Sequence, residues 1–380
     1  MICNMLAPYR ASFYGALSNH VDYTLILDTM SEFNRTWDLP EKAKNLNIIV
    51  QNCRSFVYKR HRNDVEYVES RQFHFSERTF LKLKETSPDI IITIEYGFKT
   101  FWSLLYGHFY AVPVILASEG TLHTEGHVGW LKNFVRRLFV SQCTRFWSNG
   151  PDSTALLLRY GADPRSVDEG MTGIDTAEWR EGLDAWANRR EEVRSELGLV
   201  GRVFLFSGSL SPRKGIRQMA AAIEKAAADP GCPTFSVLIL GGGEEEEWLR
   251  NWIVRHPSIN VVTTGFVQQS SLPKFFAAAD WAILPTLDDN WPLATLETLV
   301  AGLPQLFSVY NGATADLCQP DTGILFDPLD EEDFRLKLTE AIKSPLERVP
   351  TDRVRAIADY YAADSQGRRA VRSLYAAIRG

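Results

Sequence analysis

Short apolar runs alternate with longer half-polar stretches along most of the chain. In the first half Ile2-Cys3, Val21–Leu27, Ile48–Gln51, Pro88–Thr93 and Pro113–Ala117 read as strands, mostly buried. Helical spacing fills the intervals, as in the run to Asn19, around Lys82–Lys84 and over Lys99–Tyr110. A second series begins at Arg202, with strands Val203–Ser207, Ser236–Leu240, Asn260–Thr263 and Trp281–Leu284 and helices between them. Such alternation predicts parallel sheets covered by helices on both faces. Residues 176–200, rich in Trp, Arg and Glu, predict one solvent-exposed helix linking the two series. Thr351–Gly380 is helical in pattern. The G-x-G-x-x-G dinucleotide fingerprint and the Walker loop are both absent.

The most informative stretch is Trp281–Pro304, WAILPTLDDNWPLATLETLVAGLP. A buried strand ends at Pro285, a polar loop follows, and Asn290 and Pro292 mark a helix start. Gly302 and Pro304 stop that helix. Leu293, Leu296 and Val300 form its apolar stripe, and Glu297 projects about 40° from Leu293. A carboxylate beside a packing face is costly unless something binds it. Asp289, eight residues earlier, lies on the loop beyond the strand's carboxyl end, where open α/β sheets bind ligands. Two acids so placed could hold the hydroxyls of a polyol, or be a loop acid and a helix acid paired with cations. Lys214 stands in the glycine-flanked turn Gly208–Gly215 before another helix, where an ammonium and helix-terminal amides suit a diphosphate.

These residues resemble the retaining GT-B glycosyltransferases of family 4. Asp289 and Glu297 fall at the two positions of the family's acid-x7-acid signature, and the Ala-Gly-Leu-Pro tail fits. The family more often has Glu first, followed by Gly-Phe-Gly or Gly-Phe-Pro, where this chain has Asp-Asn-Trp-Pro. Its Gly-Arg-Leu-x-x-x-Lys-Gly text is matched at Lys214, but Ser209 occupies the Arg position, with Arg213 a substitute. Gly243 and the segment Gly265-Phe266-Val267 resemble further donor-binding turns.

The resemblance implies two facing Rossmann-like domains with parallel sheets. The acceptor domain would be 1–178, with 358–380 crossing back to it as a final helix. A linker helix at 179–200 and a donor domain at 201–357 would follow. It implies transfer of a hexosyl unit, with retention, from a nucleotide-diphosphate sugar to a glycan or lipid-linked acceptor in cell-surface polysaccharide assembly. Lys214 and amides at Leu293, Ala294 and Thr295 would stabilise the departing diphosphate, Asp289 would hold the sugar and Glu297 the ribose. Glu119 or His123 would take the family's histidine role, and Tyr9 and Arg10 would contact the acceptor. No metal or cofactor is implied. The alternatives are a catalytically silent nucleotide-sugar-binding relative and a GT-B epimerase or phosphorylase.

Composition changes this picture little. The chain of 380 residues is 45% hydrophobic and 23% charged, as folded domains are, and long enough for two of them. The net charge of −6 comes wholly from the second half, which argues against a nucleic-acid partner. Five scattered cysteines show no metal-ligand spacing and suit a reducing compartment. No secretory signal pattern opens the chain, so a cytoplasmic location is expected. Thr100–Ser118 lacks formal charge, but Gly107, His108 and Pro113 divide it into helix and strand. Lys132–Trp147 interleaves basic and apolar side chains. It suits either a half-buried helix or one resting on an anionic membrane surface.

Overall fold

The computed structural model describes residues 1–30, 41–51, 53–62, 65, 67–126 and 128–379. The chain divides into two units, one of 1–59, 70–175 and 360–380, the other of 60–69 and 176–359.

The first unit is built on a seven-stranded sheet in which, among the described residues, neighbouring strands pair in parallel. Its spatial order is Asn47–Val50, Thr24–Leu27, Ile2–Cys3, Ile91–Ile94, Val114–Ser118, Arg145–Ser148 and Val167–Asp168. The strands are apolar on both faces because helices cover both, as parallel crossovers require. Leu17, Leu25, Leu27, Ile115 and Trp147 are central to its largest core. The last helix, Ala363–Arg379, closes that core, with Ala370, Leu374 and Ala377 buried in it. The Trp147 indole donates to Ser373 Oγ at 2.8 Å.

The second unit repeats the plan with six parallel strands, ordered Asn260–Gly265, Phe235–Leu240, Arg202–Ser207, Trp281–Leu284, Gln305–Ser308 and Gly323–Phe326. Phe204, Phe206, Trp281, Ile283, Leu306, Phe326 and Phe334 fill its core. In both units the strand order reverses direction beside the first strand of the series, which creates a switch point at the carboxyl ends.

Some elements differ from expectation for local reasons. The basic segment Arg54–Arg62 is a strand, paired with Tyr67–Phe75 in a separate two-stranded arm. The consecutive Phe56, Val57 and Tyr58 supply β-propensity amid the charges. In place of one helix over 176–200 the chain forms two, Thr176–Ala187 and Arg190–Leu197, in the second unit. The acidic-basic pairs Arg190–Asp280 and Arg194–Asp280 hold the second of these to the unit. The C-terminal segment is likewise two helices, Thr351–Tyr361 and Ala363–Arg379.

Candidate functional site

The switch point of the second unit lies between Arg202–Ser207 and Trp281–Leu284. The loops leaving those two strands carry Lys214 and Asp289. They are bonded to each other through the main chain, with Leu287 N–H donating to Arg213 O at 2.8 Å. The Thr286 hydroxyl reaches the same carbonyl at 3.2 Å. Gly215 makes this approach possible: its φ is +69°, and a Cβ there would lie 1.9 Å from Pro285 O. The turn after Phe235–Leu240 also packs on the first loop, and a Cβ on Gly243 would meet Leu210 O at 2.5 Å.

Asp289 Oδ2 accepts from Lys214 Nζ at 2.5 Å and from Arg213 at 3.0 Å. Burial pushes the Asp289 carboxyl up, but Lys214 and then Arg213 outweigh it and hold the acid at about 2. Burial draws the Lys214 ammonium down against the opposing pull of Asp289. Arg213 also donates to Asp288 O at 3.1 Å, so it braces the loop that it neutralises.

Glu297 sits on the helix Leu293–Val300 and is only 9% exposed. Burial alone pushes its carboxyl up to about 7. Among the described residues its carboxylate has no ion pair or hydrogen bond, whereas its carbonyl accepts from the Trp179 indole at 3.2 Å. The helix ends as Gly302 predicts. Gly302 N–H donates to Leu299 O and Leu303 N–H to Thr298 O, both at 2.9 Å, around a glycine with φ +72°. Its start differs from expectation: Pro292 is the cap residue itself, without side-chain capping, and Asn290 takes no capping role. Thr295 N–H is already bonded to Pro292 O at 3.0 Å, which leaves Leu293 and Ala294 at the amide end.

The remaining donor-side residues lie on the same unit. Ser209 is exposed, with its hydroxyl 3.4 Å from that of Ser211. Gly265 closes the edge strand at φ +71°, and Phe266 beyond it is exposed. Asp288, beside Asp289, is a feature the sequence reading assigned no partner. It is buried and accepts from Arg62 and Tyr67, with Arg60 at 3.6 Å.

In the first unit Arg10 pairs with Glu119, and its guanidinium lies 5.9 Å from the Tyr9 ring centroid. His123 is on the helical turn Leu122–Glu125 and is half-buried. Sequence reasoning missed Glu95, which follows Ile91–Ile94 at this unit's switch point. Its φ is +63°, strained for a residue with a Cβ, and its carboxylate accepts from Glu119 N–H at 2.8 Å. Burial first, and the Glu125 carboxylate second, push Glu95 up to about 7.

Asp28, Cys53 and His74 also converge here, with potential metal-ligating atoms within 4.8 Å of one another. Lys99 lies 3.8 Å from Asp28, Gln51 donates to the other Asp28 oxygen at 2.6 Å, and Ser55 lies 2.9 Å from His74 Nδ1. An ammonium beside the carboxylate opposes a cation, and burial, with Asp28 next, pushes the Cys53 thiol up to about 12. Asp28 Oδ2 is buried without a hydrogen bond, but the Lys99 ammonium faces it and the thiol resists ionisation, so the set fits a metal poorly.

Residues 189–358 match the family described as glycosyl transferases group 1. The chain is 30% identical over 197 residues to the D-inositol 3-phosphate glycosyltransferase of Acidothermus cellulolyticus, covering 49% of this chain and 42% of that protein. The chain thus spans less than half the length of that curated relative. Its fold is that of Anabaena Alr3699/HepE, solved in complex with UDP and glucose, at TM-score 0.70 and 14% identity over 98% of both chains. A glycosyltransferase from Rickettsia africae matches at TM-score 0.72 and 11% identity, over all of this chain and 98% of that one. The chain therefore has the GT-B fold, and residues 189–358, nearly all in its second unit, are similar to the glycosyl transferases group 1 family.

Proposed function

We propose that the protein is a retaining glycosyltransferase that moves a hexosyl unit from a nucleotide-diphosphate sugar to a glycan or lipid-linked acceptor. The observation that carries this reading is the pairing, at one switch point, of a cation beside helix-terminal amides with a buried carboxylate that lacks a partner. Lys214 and the Leu293 and Ala294 amides suit a diphosphate, and Glu297 suits the two hydroxyls of a ribose. The UDP held by Anabaena HepE supports a nucleotide-sugar donor.

In the reaction the bond from the anomeric carbon to the diphosphate oxygen breaks, and its electron pair leaves with the diphosphate. The acceptor oxygen bonds to the same face of the oxocarbenium-like sugar, and its proton passes to a diphosphate oxygen. The rate depends on stabilising the negative charge that leaves, which falls to Lys214, Arg213 and the amides. A donor must first draw Lys214 away from Asp289, which frees that carboxylate for the sugar hydroxyls. Side-chain cations supply the charge, so no metal is required. In the first unit Arg10, Glu119 and Glu95 would receive the acceptor hydroxyl, with His123 adjacent in sequence.

The acceptor-side unit also suits a membrane surface. Helix Trp130–Gln142 turns an apolar face outward: Trp130 is 80% exposed, Phe134 61%, Leu131 58% and Leu138 50%. These residues and Val135 span an arc of about 140°, flanked by Lys132 and Arg137. Apolar exposure bordered by cations fits an anionic lipid surface, and a role in cell-surface polysaccharide assembly from the cytoplasmic side would follow. Among the described residues no helix is long and apolar enough to cross a membrane.

Incubation with UDP-glucose, UDP-galactose and GDP-mannose tests the enzyme reading. Slow release of nucleotide that Glu297→Ala abolishes supports it. Tight nucleotide binding without release points instead to a silent binding protein.

A further inference from the structure

The buried Asp288 cluster has no role in the reaction as derived above. It has an unusual composition for a loop anchor. Arg60, Arg62 and Tyr67, from the turn end of the two-stranded arm, surround Asp288, while Arg213 and Lys214 hold Asp289 next door. Val65 and Tyr67 pack with Leu287 as a small apolar cluster, so the arm's end grips the residue before Asp288 as well. Both carboxylates are held on one loop, and they would compete for the same cations if either set were missing.

We propose that Arg62 and Tyr67 are positioning residues for the nucleoside-diphosphate site: by covering Asp288 they keep Arg213 and Lys214 available to the ligand's phosphates. This rests on the nucleotide-sugar reading given above. Among the described residues Arg60 and Arg62 face the Asp288 carboxylate, and Arg213 and Lys214 face that of Asp289. The Asp288 main-chain carbonyl accepts from Arg213 at 3.1 Å, so without Arg62 the Asp288 carboxylate is left beside that guanidinium to draw it inward. The arm acts indirectly, by sequestering an acid rather than by touching phosphate.

The test is calorimetric titration with UDP, GDP and uridine of the wild-type chain, Arg62→Ala, Tyr67→Phe and the double variant Arg62→Ala/Asp288→Asn. Arg62→Ala should weaken the diphosphate about tenfold, the scale of one uncompensated charge near the site, and change uridine affinity less than about twofold. Tyr67→Phe should weaken it by a smaller factor. The double variant, which removes the uncovered charge, should recover most of the lost affinity. Unchanged UDP affinity in Arg62→Ala overturns the proposal. Equal weakening of UDP and uridine, or no recovery in the double variant, assigns the arm a merely structural role and overturns it too. Wild-type protein that binds neither UDP nor GDP overturns the donor reading itself, a failure distinct from the others.

Discussion

The switch points of the two units share a plan and differ in chemistry. In the second, one acid is held at about 2 by Lys214 and Arg213, while another on the next helix is pushed to about 7 by burial alone. In the first, Glu119 is paired with Arg10 and Glu95 is raised to about 7 on a strained backbone. Each end therefore sets an acid held by a cation near an acid raised by burial. A cation closes on an acid at both ends, and the difference is the setting. In the second unit Lys214 and Arg213 share Asp289, four residues before the helix start at Leu293, which suits phosphate. In the first Arg10 holds Glu119, which suits hydroxyl recognition. A donor end and an acceptor end can be built from one topology by exchanging a few loop residues.

The comparison breaks first if the donor end is not charge-dependent. Lys214→Ala and Glu297→Ala should each lower nucleotide release from the accepted sugar donor at least about 100-fold, as loss of one charge-stabilising group does. Near-wild-type release in either variant removes that role. The acceptor end is sharpened by its outward helix: Phe134→Glu/Leu138→Glu should reduce co-sedimentation with phosphatidylglycerol vesicles at least about tenfold, with UDP affinity unchanged. Equal sedimentation of both proteins contradicts a membrane-facing role.

The two raised acids separate by what they read. UDP affinity should rise about tenfold between pH 6 and pH 8 as Glu297 ionises through about 7, and Glu297→Gln should flatten the profile. The sign for stability is opposite. A carboxyl raised above its unfolded value of 4.5 binds more protons folded than unfolded, so stability falls as pH rises from there through about 7. Glu297→Gln should therefore raise Tm at pH 8 and leave it nearly unchanged at pH 4. Glu95→Gln should lower acceptor-dependent transfer several-fold to about tenfold while leaving UDP binding alone, as misplacement of a hydroxyl does. The smallest effect is expected at exposed Ser209: Ser209→Arg should tighten UDP by no more than about threefold, since a solvated cation contributes little.

Both sheets and their helices were legible because buried parallel strands are written as compact apolar runs. The residues proposed for the donor also stood out in the sequence, since Lys214, Asp289 and Glu297 lie on text with fixed spacing to glycines and prolines, and the fold brings Lys214 to Asp289. What the sequence concealed depends on distant pairing. Asp288 is an ordinary loop acid until Arg62 and Tyr67, more than 200 residues away, are folded against it. Glu95 carries no motif, and its strained φ arises only from the strand it terminates. The arm's first strand sets Phe56 and Tyr58 among Arg54, Lys59, Arg60 and Arg62, so charge masks its β-propensity.

The most direct test is a crystal structure with bound UDP or GDP, whichever raises Tm more. The account predicts Lys214 Nζ moved from Asp289 to a phosphate oxygen and the ribose hydroxyls bonded to Glu297. A nucleotide bound elsewhere, with Lys214 still on Asp289 and Glu297 without a ligand, would contradict it.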